Sequence, residues 1–422
     1  MRRQKNPLGI LSQLIGILIA VAFPATAQAQ VYMRLVIKSE NDTYTGRYEV
    51  SKNDASKVYC LYRLTFNPAD TKRANPLSIA YLESGAASDN FNTLSAAEIR
   101  FRYNEKGQRI EKLVLNSTGK KKAEFRYLYK GNDLSEEQEF DTAEKLVTKT
   151  SYKRDAKGRV LETSFLNKDD KLQNNLLGYA LRKYAYNEKG GVVQEDVYDA
   201  AKKKIRGMSF QYDDKGTLTE SKVYDETGQL ADRTLYKYND AGRLIEKKVL
   251  NAFRYIKQRT VYAYDKQGRV SEERNFDAND NLLGDMFDVA VVKTEYDASG
   301  DRLQEDRYSS SNRLKSKVTY GKYELLQERR EYGEDSKPAL VIRREYDGYM
   351  NPLKESQYRL TSKAGREILE EELLYDKGQL TEKRRYDKKG ILELRVLFGK
   401  DGNISRRILY DASGKIVRDE KQ

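Results

Sequence analysis

The chain has 422 residues with 78 Lys and Arg against 65 Asp and Glu, a formal balance of +13, and it contains no histidine and no tryptophan. The missing histidine excludes histidine-dependent catalytic triads and histidine metal sites, and a single cysteine, Cys60, excludes an intrachain disulfide. At 38% hydrophobic residues, below the roughly 45–50% of ordinary globular domains, the chain is expected to bury many thin layers rather than one thick core.

The N-terminus reads as a secretory signal peptide over 1–29. Arg2, Arg3 and Lys5 precede the apolar run "ILSQLIGILIAVAF", and "PATAQAQ" follows with small residues suited to cleavage after Ala27 or Ala29. That run is shorter than the roughly twenty residues a spanning helix needs. The expected location is the periplasm or the cell exterior. Without its three leader cations the chain keeps 75 basic residues against 65 acidic ones. Their signs are interspersed, which gives a weak overall field.

Residues 30–96 combine strand-like stretches, "VYMRLVIKSE" and "KVYCLYRLTF", with loop-like ones. They read as a small β-rich cap or as degenerate repeats. Cys60, inside an aromatic and apolar run, reads as a buried side chain rather than a reactive thiol.

From 97 to 422 the chain repeats itself. The pattern Tyr-[Asn/Asp]-x-x-Gly-x-aliphatic starts at Tyr186, Tyr212, Tyr224, Tyr238, Tyr264, Tyr386 and Tyr410. Looser forms start at Tyr103, Tyr152, Tyr296 and Tyr375. Tyr212, Tyr238 and Tyr264 stand 26 residues apart, and such a period marks a repeat architecture. Asp213, Asp225, Asn239 and Asp265 are placed to accept hydrogen bonds from the amides that follow. Gly216, Gly228, Gly242 and Gly268 are placed to supply the left-handed residue that closes a hairpin loop. Aromatic residues alternate before the turns, which puts each pair on one face of a strand. The expected fold is all-β: an elongated or curved antiparallel meander of hairpins, about 26 residues per double unit. Tyrosines are expected to stack across neighbouring strands, each pair contributing about 0.2–1 kcal/mol. The stretch "GEDSKPAL" at 333–340 reads as a looser joint.

These turns resemble those of the YD-repeat, or Rhs-type, proteins of bacteria, through "YDDKGTL", "YNDAGRL", "YDKQGRV" and "YDASGKI". The resemblance covers about three quarters of the chain. It implies an exported hairpin array, often at a cell surface and sometimes curled into a shell around a cargo; carbohydrate binding is also associated with such repeats. The tryptophan- and proline-containing boundary motif and the toxin-like domain of that family are not found here. MORN-like repeat proteins are similar in hairpin logic, more weakly.

Catalytic chemistry is not expected. Glu220, Glu246 and Glu272 recur at 26-residue spacing, the mark of a strand position rather than of a unique acid–base pair. "FDANDNLLGD" at 276–285 departs from a calcium loop at its sixth and twelfth positions and reads as one more turn. No metal and no cofactor is expected. The candidate binding residues are Tyr236, Tyr238, Tyr262 and Tyr264. The expected partner is envelope glycan or another acidic surface polymer, not nucleic acid. A glycan-processing enzyme with a carboxylate pair, or a shell or carrier fragment of a YD-repeat toxin system, are the alternatives.

Overall fold

Thirty antiparallel strands form one open sheet in the computed structural model, which describes residues 29–39, 43–90, 92–361 and 365–421. The leader segment 1–28 lies outside the described residues. From Glu98 onward each strand pairs with the next in sequence, so the chain is a meander of hairpins.

The turn chemistry repeats atom for atom. At 213–217 the Asp213 amide donates to the Thr217 carbonyl (2.9 Å) and Gly216 to the Asp213 carbonyl (3.0 Å). Asp213 Oδ1 accepts from the amides of Lys215 and Thr217 at 2.9 and 2.8 Å. Asp225, Asn239 and Asp265 accept from the amides two and four residues on in the same way. Gly216, Gly228, Gly242 and Gly268 have φ of +83°, +84°, +74° and +85°, a region that costs other residues about 1–2 kcal/mol. Space is open around Gly242, so Gly242→Val should lower stability by about 1–2 kcal/mol through backbone strain alone. Chemical denaturation checks this, and unchanged stability would contradict it.

In many of the hairpins a bulge falls just before a tyrosine that ends the strand, for example between Lys237 and Tyr238 and between Ala263 and Tyr264. Such a bulge interrupts the ladder. The tyrosine hydroxyl takes up the slack by donating to a carbonyl on the preceding strand. Tyr212 reaches Val192 at 2.8 Å, Tyr264 reaches Leu244 at 2.6 Å and Tyr346 reaches Leu326 at 2.8 Å.

Two expectations are corrected. Tyrosines meet across neighbouring strands at Tyr62 and Tyr81, whose rings lie 5.2 Å apart, but the repeat tyrosines Tyr238 and Tyr264 do not stack on one another. Leu230–Tyr238 and Ile256–Tyr264 are separated by Leu244–Asn251, and alternate strands lie about 10 Å apart. Arginine takes the intervening place: Arg243 lies 5.7 Å over the Tyr264 ring and Arg269 4.7 Å over Tyr296. The stretch 333–340 is not a joint either. Gly333 and Lys337 close an ordinary hairpin at 2.9 Å, and Pro338 sits opposite Tyr332 at the bulge, where no ladder amide is needed.

The N-terminal segment is built differently. Its strands are β1 (Ala29–Lys38), β2 (Tyr44–Val50), β3 (Cys60–Phe66), β4 (Pro76–Glu83), β5 (Ala86–Ala87) and β6 (Glu98–Tyr103). β1 lies between β2 and β3, and β4 pairs with β6 past the short β5. Among the described residues, two apolar clusters sit here, on opposite faces of β3 and β4. One gathers Tyr62, Leu64, Phe66, Ile79 and Tyr81; the other gathers Leu61, Ala80 and Leu82. Alternation puts these two sets on opposite faces. The array beyond is mostly half-buried on both faces.

Candidate functional site: a pocket between the N-terminal strands and the array

The sheet curves far enough to bring β1, β2 and the β3 entry against turns some 250–300 residues later. Tyr48 Oη donates to Asp301 Oδ1 at 3.0 Å, and Arg47 pairs with Asp301 and, at 3.7 Å, with Glu324. The Tyr48 and Tyr323 rings meet at 5.1 Å, tilted by 52°. The Arg34 guanidinium lies 4.8 Å over Tyr323 and donates to the Tyr349 carbonyl. Asn351, almost fully buried, accepts from the Tyr59 amide at 2.6 Å and donates to the Lys57 carbonyl at 2.7 Å.

These contacts frame a cavity of about 560 Å³, inside the roughly 300–1,000 Å³ of small-molecule sites. Tyr48, Tyr59, Tyr323, Tyr346 and Tyr375 contribute aromatic wall; Arg34, Arg302, Arg344 and Lys354 bring cations, Glu324 and Glu355 carboxylates.

Four lining residues hold left-handed backbone without being glycine: Tyr48 (φ 62°), Tyr323 (63°), Glu324 (55°) and Met350 (60°). Met350 fills the slot that glycine takes in other turns. The turn 321–325 has two such residues in succession and departs from the repeat. Strain of this kind persists where the surroundings over-determine it, and it concentrates at binding sites.

The electrostatics follow from burial and pairing. Burial, the hydrogen bond to Asp301 and the nearby Glu324 push the Tyr48 phenol up to about 12. Burial pushes the Cys60 thiol up to about 11, so Cys60 faces the pocket as a neutral thiol and not as a nucleophile at neutral pH. Glu324 Oε1 accepts from the Arg302 amide at 2.8 Å, and Glu355 is paired with Arg344.

Elsewhere the array neutralises its carboxylates in rows. Glu246 pairs with Lys248 at 3.0 Å and Arg259 at 3.3 Å. Glu220 meets Lys222 and Arg233, and Glu272 meets Arg274 and Lys293. The same arrangement recurs at Glu328 and Glu382. Burial would raise the carboxyls of Glu246, Glu328 and Glu382, but their basic partners outweigh it and hold all three below the ordinary value of 4.5. A depressed folded pKa contributes stability that is present above the unfolded value and lost as pH falls through the folded one. The melting temperature should therefore hold steady from roughly pH 7 to 5 and drop below pH 4.5. A flat profile down to about pH 3 would contradict the pairing.

The four tyrosines singled out from the sequence lie away from this pocket. Tyr236 and Tyr238 end Leu230–Tyr238, and Tyr262 and Tyr264 end Ile256–Tyr264, all half-buried. Tyr236 Oη lies 3.2 Å from Ser221 Oγ, and Tyr264 is committed to Leu244. They reach each other neither across strands nor toward Tyr323. The residues 277–281 form a turn, with Asp277 Oδ1 accepting from the amides of Asn279 and Asn281 at 2.8 and 2.9 Å. Among the described residues no group of carboxylate and thiol side chains is arranged to hold a metal. Sequence reasoning missed Arg34, Tyr48 and Tyr323. The local signal was slight: the turn "GKYEL" at 321–325 lacks the usual glycine, as several other turns do.

The fold and the pocket together define an antiparallel hairpin array with a distinct N-terminal unit docked on its turns. No family model matches the chain, and no curated protein is similar to it in sequence. Among solved structures, the Photorhabdus luminescens Tc holotoxin pore aligns over 85% of this chain and 25% of its own, at 13% identity and a TM-score of 0.26. TcdB2-TccC3 aligns over 94% and 31%, at 12% identity and a TM-score of 0.19. A porin-like protein from Bacteroides uniformis aligns over 82% and 95%, at 10% identity and a TM-score of 0.23. This chain thus spans a quarter to a third of the length of the two toxin structures. At such TM-scores no argument about function rests on these likenesses.

Proposed function

We propose that the protein is an exported, non-catalytic binding protein of the cell envelope that holds glycan or another acidic surface polymer. The pocket between β1–β3 and the array turns is the place where it does so. The observation that carries this reading is the strained, tyrosine-walled and arginine-bearing cavity at a junction of segments distant in sequence. Export rests on the N-terminal pattern of charge, apolar run and small residues. Glu324 and Glu355, the carboxylates on the wall, are each held by an arginine, an arrangement suited to fixing walls rather than to moving protons.

A pull-down of envelope fractions tests the reading. Tyr323→Ala should abolish retention, Tyr262→Ala should leave it intact, and retention should weaken with salt, because exposed charges are screened. Equal loss in both variants, with both folded, would return the site to the repeated tyrosine face. Release of reducing ends from the retained polymer, abolished by Glu324→Gln or Glu355→Gln, would make the protein an enzyme instead.

A further inference from the structure

Of the four cations on the pocket wall, Arg34 alone has no ion pair among the described residues. Arg302 is answered by Glu324 and Glu305, Arg344 by Glu355, and Lys354 by Glu345 at 2.9 Å. Arg34 has no such partner: among the described residues no carboxylate lies within ion-pair distance of it. Its contacts are the Tyr323 side chain, through the ring face and a hydrogen bond, and the Tyr349 carbonyl, and its Nε is closed off from solvent with no acceptor. Asp347, whose charge acts on it from beyond ion-pair distance, also accepts from the amides of Tyr349 and Asn351 and from Asn351 Nδ2, all at 2.8 Å. A half-buried guanidinium without an ion pair is costly, and a ligand carboxylate is a group that would supply one.

We propose that this pocket takes a sugar ring carrying one carboxylate, a ligand of the hexuronate class, with the carboxylate on Arg34 and the ring against the tyrosines. The inference rests on the binding function proposed above and names its ligand. A phosphate ester fits less well. It carries about −1.5 to −2 charges, and the surplus would face Glu324 and Glu355. The ring follows from the walls: tyrosines offer apolar faces with polar rims, matching a sugar's apolar face and hydroxyl edge.

Calorimetric titration of the full chain tests this with glucuronate, its methyl ester, glucose, acetate and inorganic phosphate. Glucuronate should bind at least ten-fold tighter than the ester and than acetate or phosphate. Arg34→Gln should erase the acid-over-ester preference, with the melting temperature unchanged. If Arg34→Gln lowers the melting temperature, the acid-against-ester comparison on the unaltered chain decides. Equal binding of acid and ester would overturn the role of Arg34, and equal binding of acetate or phosphate would overturn the ring. No heat with any of these, while envelope polymer is still retained, would sink the ligand assignment and leave the binding reading standing. Loss of retention as well would sink both.

Discussion

Asn351→Ala is expected to lower stability by about 1–3 kcal/mol, because it removes the buried side chain that serves two part-buried backbone groups at once. Asn351 is 3% exposed, and its amide side chain is the partner of the Tyr59 N–H and the Lys57 carbonyl. A buried group left unpaired costs about 1–3 kcal/mol. Both bonds join residues more than 290 apart in sequence, so the loss should fall on the docking of the N-terminal unit. Hydrogen exchange should speed up at 57–60 and 347–351 and stay unchanged in the central hairpins around Gly242. Asn351→Asp, which would set a buried carboxylate against Asp347 Oδ2 and the Lys57 carbonyl where the Nδ2 donor now sits, should cost at least as much. Unchanged exchange at 57–60 would show that Asn351 does not bridge the two parts in solution.

Gly378→Val should cost about 3 kcal/mol or more, against about 1–2 kcal/mol for Gly242→Val. Both glycines are left-handed, at +85° and +74°. They differ in what surrounds them. Gly378 sits in a two-residue turn, with Lys377 also left-handed at +48° and Asp376 paired with Gln379. A Cβ placed there runs into the β-carbon of Tyr59, which is fixed to the N-terminal backbone, whereas nothing lies within 4 Å of a Cβ at Gly242. The excess of one variant over the other measures the contact between the N-terminal unit and the turn. Urea denaturation followed by exchange locates it, since arrays of this kind can unfold in parts. Equal costs would mean that Tyr59 does not rest on that turn.

The hairpin array was legible in the sequence because its determinants are local. Asp213 and Gly216 sit three residues apart, and their roles need nothing beyond the turn itself: an acceptor for two following amides and a residue free to adopt positive φ. Period-two alternation then fixes which residues share a face. The 26-residue spacing carried the same information along the chain, and so Glu220, Glu246 and Glu272 were readable as one strand position before their basic partners were known. At the repeat tyrosines the stacking expectation failed for a reason no single repeat contains. Tyr238 and Tyr264 are two strands apart, and Arg243 lies over the Tyr264 ring.

What the sequence determined by itself is therefore the all-β class, the turns and the one-dimensional order of the strands, all set by interactions spanning a few residues. What only the tertiary structure decided is where the chain meets itself. The order β2–β1–β3 depends on which edge of β1 the returning strand takes. The pocket depends on the accumulated curvature of some twenty strands, which carries Tyr48 to Tyr323 and Tyr59 to Asn351. Each strand pair contributes a small twist, and no local pattern records the sum. Arg34, an ordinary cation in "VYMRLVIKSE", becomes the pocket's unpaired charge only through that closure.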